Sequence, residues 1–293
     1  MFYRLKLRLS LFKILELAKQ LNNLTLRAIT GIFIIIVVIA ATVVSKYSYG
    51  ILFLLLTVVA SREYIKITGL DQISQMKKWI LVLANVTVFL LGYFIAIDWL
   101  PDNLRIFGIL PVFFLYSAGL FGRTTPNFRL SSLLISGHVY IGIPLMLLSY
   151  IYLHKQQFWP SYVIAILVFV WSNDIGGYLL GKFFGKTKML PAVSPNKTWE
   201  GFFGGVILSL ISGYVFSFFS DNIEPVEWIL FGFVVSLGTS FGDLVASSLK
   251  RSFGFKDSGI FFPGHGGMID RFDGFFIAIV VAFVYLNILG VIR

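Results

Sequence analysis

Runs of about 20 apolar residues recur along this chain, and that recurrence limits its fold more than any single motif. A hydrocarbon core about 30 Å thick is crossed by roughly 20 helical residues. Nine runs approach that length, at 29–45, 47–61, 79–97, 104–121, 131–153, 161–181, 201–220, 227–246 and 273–292. The second is short, so 29–61 also reads as one long bent hairpin. Charged residues make up only 13% of the chain, against roughly 25% in a soluble domain. With a mean hydropathy of +0.86, too little polar surface remains to coat a globule, and an ordinary soluble enzyme is excluded. The pattern predicts an all-α, polytopic integral membrane protein of about nine transmembrane helices. The chain has no cysteine, which removes disulfides, thiolate metal sites and cysteine nucleophiles together. Its three histidines, His138, His154 and His265, argue against a histidine-built zinc centre.

The net charge is +10, and its placement says more than its size. Of the 24 basic residues, 20 fall in the N-terminal stretch and in alternate connections (62–78, 122–130, 182–200 and 247–272). The other side holds only Lys46, Arg105, Lys155 and Arg293, together with Asp98, Asp102, Asp221, Glu224 and Glu227. Positive charge stays on the cytoplasmic side of a membrane. The N-terminus is therefore expected inside, and an odd number of spans puts the C-terminus outside. Trp79, Trp99, Trp159 and Trp228 fall at span ends, where tryptophan favours the interface. Residues 1–28 read as a basic amphipathic segment on the membrane surface, 29–160 as an N-terminal transmembrane region, and 161–293 as a C-terminal catalytic transmembrane region. Pro111 and Pro144 in the N-terminal region read as helix kinks.

The polar site is expected in the C-terminal half, facing the cytoplasm. If the eighth span stays helical to Arg251, then Asp243, Ser247, Lys250 and Arg251 share one face. Asp270 and Asp273 share another at the start of the ninth. Three acids beside Lys250, Lys256, Arg251 and Arg271 suggest ligands for a hard cation among phosphate-binding groups. Oxygen donors with substrate phosphates are the usual Mg²⁺ arrangement. Pro263-Gly264-His265-Gly266-Gly267 lets backbone N–H groups approach an anion. A solvated loop whose charges only set topology is the plainer alternative, and it suits Lys256 and Asp257 taken alone.

Inside the sixth span, Asn173 and Asp174 are expensive in lipid and point to a polar cavity. A carboxylate hydrogen-bonded to neighbouring helices is the alternative for Asp174. Gly176 and Gly177 permit close helix packing. Ser194-Pro195-Asn196-Lys197-Thr198-Trp199-Glu200-Gly201 opens the seventh span. Ser194 or Thr198 can cap it, Glu200 suits its first turn, and Lys197 can reach a phosphate. Gly201-x-x-x-Gly205 is compatible with a homodimer and equally with packing inside one chain.

Ser247-x-Leu249-Lys250-Arg251, then Lys256-Asp257, PGHGG and Asp270-Arg271-x-Asp273 together resemble the signature of the phosphatidate cytidylyltransferases, the CDP-diacylglycerol synthases. Asn173-Asp174-x-x-x-Tyr178-x-x-Gly181 and Ser194-Pro195-x-Lys197-Thr198-x-Glu200-Gly201 resemble two further motifs of that family. The match covers 171–274 by motif and the remainder only by hydropathy. Gly177 stands where the family often has Ala, and Gly274 where Ser is frequent.

The resemblance implies an enzyme that joins CTP and phosphatidate into CDP-diacylglycerol and pyrophosphate, with Mg²⁺, for phospholipid biosynthesis. A second metal or a monovalent ion is compatible with it. It implies Asp243, Lys250, Asp270 and Asp273 as catalytic residues, with Asp174, Asp243, Asp270 and Asp273 holding metal. Lys197, Ser247, Arg251, Lys256, His265, Gly266, Gly267 and Arg271 would bind substrate. The expected partners are CTP, phosphatidate and membrane lipid, with no nucleic acid, in the inner (plasma) membrane. Competing readings are a relative acting on another lipid, such as a CDP-archaeol synthase or a polyprenol or phytol kinase, and a transporter using Asp174 as its coupling carboxylate.

Overall fold

A computed structural model describes residues 30–70, 75–118, 128–153, 161–219, 223–259, 261 and 266–292. The expected surface segment 1–28, together with His154, Trp159, Asp221 and His265, lies outside the described residues. The described residues begin with helices α1 (Thr30–Val44) and α2 (Lys46–Thr68). Only Ser45 separates them. Its backbone is extended, and its hydroxyl accepts from the Ser48 N–H at 3.1 Å, capping α2. Helix α2 is longer than the short apolar run 47–61 within it: it continues past 61 and carries Arg62, Glu63 and Lys66 within its last two turns.

Helix α3 (Gln75–Ala96) follows, then a 3₁₀ stretch at Asp102–Ile109 that runs into α4 (Leu110–Ser117). Pro111 lies in the first turn of α4, where its missing N–H costs nothing, so it starts a helix and does not kink one. Helices α5 (Phe128–Gly137) and α6 (Ile143–Leu153) are joined by a π turn at His138–Gly142. The cause is next to it. Pro144 has no N–H for the carbonyl four residues back, and the wider turn absorbs the mismatch.

Helix α7 (Ser161–Phe184) leads into a two-stranded antiparallel hairpin, β1 (Lys188–Leu190) and β2 (Ser194–Thr198), with Lys188 opposite Thr198. Among the described residues the fold is therefore helical apart from one small hairpin at the mouth of the candidate site. Helices α8 (Trp199–Phe216), α9 (Pro225–Ser252) and α10 (Ile269–Ile288) complete it. Among the described residues five helical stretches are long and apolar enough to cross a membrane: Trp79–Ala96, Phe128–Tyr152, Tyr162–Phe184, Trp199–Phe216 and Pro225–Ser252.

Two helix groups share the core. Helices α2, α3 and α6 meet where Tyr49 stacks on Tyr152 at 3.9 Å between ring centroids. Tyr152 also donates to the Thr42 carbonyl at 2.7 Å, tying α6 to α1. In the second group Trp228 is fully buried against Tyr162 and Phe216. The expected interfacial role of Trp228 is thereby corrected, because α9 turns it inward onto α7 and α8. Trp79 and Trp99 remain exposed, at 45% and 62%. The groups join where Tyr140 of the π turn meets Phe276 at 5.2 Å.

Helices α7 and α8 cross with backbone against backbone. A Cβ on Gly204 would lie 2.7 Å from the Gly176 carbonyl oxygen, and one on Gly201 would lie 2.9 Å from that of Gly177. The Gly201-x-x-x-Gly205 face is consumed inside the chain and is not free for a dimer.

Candidate active site

The site is assembled from the middle of α7, the hairpin, the C-terminal half of α9 and the start of α10. Helix α7 carries Asn173 and Asp174 side by side with separate tasks. Asn173 is buried and its Oδ1 accepts from Ser236 at 2.7 Å and Ser240 at 3.3 Å, bonding α7 to α9. Asp174 instead lines a cavity of about 500 Å³ between α7, the hairpin, α8 and α9. The interhelical hydrogen-bonding role weighed for Asp174 falls to its neighbour. Lys182, Lys197 and Asp243 share the cavity, with Tyr178 and Phe202 as apolar wall.

The hairpin that presents Lys197 is pinned at its base. Trp199 N–H donates to the Thr187 carbonyl at 3.0 Å, and the Glu200 carboxylate accepts from the Thr187 N–H at 3.0 Å. Of the two capping candidates Thr198 serves, accepting from the Gly201 N–H at 3.2 Å, while Ser194 stands in β2. Lys197 Nζ then reaches across to Asp243 Oδ2 at 2.9 Å.

Helix α9 stays helical through Ser252, as the shared face of Asp243, Ser247, Lys250 and Arg251 requires. At 1.5 Å per residue its 28 residues measure about 42 Å, so its last turns outrun a hydrocarbon core. Lys250 is buried there and donates to Asp270 Oδ1 at 2.6 Å. The other oxygen of Asp270 accepts from Ser258 N–H at 2.7 Å, Ser258 Oγ at 2.9 Å and Gly267 N–H at 3.1 Å. Asp270 lies ahead of the apolar run 273–292. Burial opposes its ionisation, but the Lys250 ammonium and these backbone donors outweigh burial and hold it below the usual carboxylate range.

Asp174 in the middle of α7, Asp243 in the C-terminal half of α9 and Asp273 in the second turn of α10 lie within electrostatic reach of one another. The close crossing of α9 and α10 explains the proximity. A Cβ on Gly242 would stand 2.9 Å from the Asp273 carbonyl, and one on Gly274 would stand 2.7 Å from Asp243 Oδ1. Asp243 and Asp273 are brought together as expected, while Asp270 is taken up by Lys250 and the loop. Among the described residues no three acidic or imidazole groups meet at one metal-sized point. The donor chemistry nevertheless fits a hard cation. Asp174 and Asp243 supply carboxylate oxygens on the cavity lining, with Asp273 behind Asp243, and Lys197 occupies one oxygen of Asp243.

The remaining expected residues divide. Ser247 is half-buried, and Arg251, Lys256 and Arg271 are exposed. Gly266 takes a left-handed φ of 87°, which needs glycine. Gly267 meets protein atoms instead: a Cβ there would lie 2.7 Å from Glu63 Oε2.

Glu63 is the residue that sequence reasoning missed. It is 8% exposed and accepts from the Met268 N–H at 2.8 Å and the Ile269 N–H at 2.9 Å. The available signal was an acid among Arg62, Lys66, Lys77 and Lys78 at the end of an apolar run. Counting that stretch for its positive charge alone passes over the acid.

Comparison with known proteins gives the family. The family model described as "Cytidylyltransferase family" matches residues 25–289. A phosphatidate cytidylyltransferase of Staphylococcus haemolyticus (strain JCSC1435) is 32% identical over 255 residues, covering 86% of this chain and 93% of the relative. One from Staphylococcus saprophyticus is 40% identical over 164 residues, which is 56% of this chain and 62% of that protein. One from Staphylococcus aureus (strain COL) is 50% identical over 116 residues, or 39% and 44% of the two chains. With a family match over almost the whole length and a relative aligned nearly end to end, the chain belongs to the cytidylyltransferase family.

Proposed function

We propose that this protein transfers the cytidylyl group of CTP to phosphatidate, making CDP-diacylglycerol and pyrophosphate on the cytoplasmic face of the inner membrane. The observation that carries the reading is Lys197 facing Asp243 across a cavity that also holds Asp174. Here anion-binding and cation-binding groups meet where a soluble nucleotide can reach a lipid. The names of the Staphylococcus relatives supply the substrate pair.

In the reaction an oxygen of the phosphatidate phosphate bonds to the α-phosphorus of CTP, and the bond from that phosphorus to the β-phosphate oxygen breaks. Pyrophosphate leaves with the electron pair. No protein nucleophile is required, so the chain's work is to place and neutralise phosphates. Lys197 and Lys250 are each matched to a carboxylate without substrate. When phosphates arrive, Lys197 exchanges Asp243 for a phosphate oxygen, and Arg251 adds a second cation from the exposed end of α9. Asp174, Asp243 and Asp273 would hold Mg²⁺, which supplies charge neutralisation and polarisation at the reacting phosphate. Asp270, saturated by Lys250 and the loop, keeps α9 and α10 in register.

All nine apolar runs are read as crossing the membrane, with the N-terminus cytoplasmic and the C-terminus external. The fourth supports this despite its irregularity. At about 2.0 Å per 3₁₀ residue and 1.5 Å per α residue, Asp102–Ser117 spans roughly 28 Å, close to the core thickness. Purified protein given labelled CTP and a panel of phosphorylated lipids tests the assignment. Labelled CDP-diacylglycerol with matching pyrophosphate is expected from phosphatidate, and product from another lipid alone overturns it.

A further inference from the structure

Glu63 belongs to the N-terminal helix group, yet its carboxylate is bonded by residues of the C-terminal half. Its carboxylate accepts from the Met268 N–H at 2.8 Å through Oε1. Through Oε2 it meets the Ile269 N–H at 2.9 Å and the Ser258 hydroxyl at 3.0 Å. Met268 and Ile269 are the N-cap and first residue of α10, and Met268 provides no side-chain cap of its own. The first N–H groups of a helix have no intrahelical acceptor, and an anion there also meets the positive end of the macrodipole. Glu63 therefore caps a helix some 205 residues further along the chain.

The contact reaches further through Ser258, which is 3% exposed. Its Oγ lies 3.0 Å from Glu63 Oε2 and 2.9 Å from Asp270 Oδ2, so its single proton serves one acceptor at a time. The glycines on either side fit closely around the same carboxylate. A Cβ on Gly259 would stand 3.0 Å from Glu63 Oε1, and one on Gly267 would stand 2.7 Å from Oε2. Backbone on both flanks thus closes onto one carboxylate that is itself fixed by α2.

From this we infer that Glu63 is a positioning residue of the active site. It locks the start of α10 and Ser258 against the N-terminal helices, and so fixes Asp270 opposite Lys250 and Asp273 opposite Asp243. The function of this lock depends on the cytidylyl-transfer reading given above, although the lock itself does not. A hydrophobic scaffold alone would not need a carboxylate here, since burying one is costly unless it is fully bonded.

The test uses full-length protein in detergent or nanodiscs. In wild type the Met268 and Ile269 amides should exchange with solvent much more slowly than helix-start amides without an acceptor, and Glu63→Gln should release at least one of them. Exchange at uncapped rates in wild type overturns the proposal whatever the enzyme's substrate proves to be. Glu63→Gln keeps the shape and one acceptor oxygen but turns an NH₂ toward the donors of the other oxygen. It should raise the Mg²⁺ midpoint and weaken a non-hydrolysable CTP analogue by about tenfold each, as expected when hydrogen bonds to a charged group are lost. A purely structural role would lower the melting temperature and leave both values unchanged in the folded fraction, which also overturns the proposal. Should Glu63→Gln not stay folded, Ser258→Ala removes only the bridging hydroxyl. It should move the same two values in the same direction by a smaller factor, and no movement counts against the inference. If wild type binds no CTP analogue, cytidylyl transfer fails while the exchange result still decides the role of Glu63.

Discussion

Lys250 and Asp270 neutralise each other across the junction of α9 and α10, at 2.6 Å with each side chain only 10% exposed. A buried pair of this kind adds little when whole and costs much when halved, because the survivor is left charged and unmatched. Lys250→Ala should destabilise the protein by about 3–5 kcal/mol and cut turnover at least about tenfold. The double variant Lys250→Met with Asp270→Asn should regain most of the stability and remain inactive. Thermal unfolding alongside CTP turnover checks both, and a double variant that recovers full activity would show that the pair only holds the fold.

Asp273→Asn should nearly abolish turnover, and added Mg²⁺ should restore little. Its charge lies within reach of Asp243 and Asp174, so removing it takes a donor from the proposed cation site while keeping shape and hydrogen bonding. Initial rates over a Mg²⁺ titration measure this. A near-normal rate with unchanged Mg²⁺ dependence rules the residue out as a ligand.

Gly204→Ala tests the crossing of α7 and α8. Its new methyl would stand 2.7 Å from a backbone oxygen that no side-chain rotation can move. The expected cost is about 1–3 kcal/mol, the usual range for overpacking. A fall in melting temperature with unchanged oligomeric size is the outcome to look for.

Topology is open to chemical labelling because the chain has no cysteine of its own. A cysteine at Lys188 should react only from the cytoplasmic side and one at Asn222 only from the outside. Labelling of Asn222→Cys from the cytoplasm would contradict the nine-span arrangement.

Much of this was legible in the sequence, for physical reasons that differ by residue. Apolar run length locates the long spans because lipid demands it. Helical spacing brings Asp243 and Lys250 to one face because the period is fixed. Partners set by tertiary approach were not legible. Nothing local announces that Lys250 turns to Asp270 while Lys197 takes Asp243, or that Thr198 rather than Ser194 caps α8. Trp228 sits at a span end and was assigned to the interface, but aromatic neighbours on α7 and α8 draw it into the core. Glu63 was hidden by the same reasoning that worked for topology, since counting basic residues treats an acid among them as background.

The glycine contact between α7 and α8 has a consequence for how such a chain diverges. Peptide atoms meeting at Gly176, Gly177, Gly201 and Gly204 set the separation between the helix bearing Asp174 and the helix entered from Lys197, so it holds as long as those glycines do. The outward surfaces of both helices carry large exposed apolar side chains such as Ile175, Phe203 and Ile207. Those positions are free to change with the thickness or composition of the host membrane while the width of the cavity stays constant. The lipid-facing surface and the site dimensions are thus independent variables, and adaptation to a new bilayer leaves the chemistry in place.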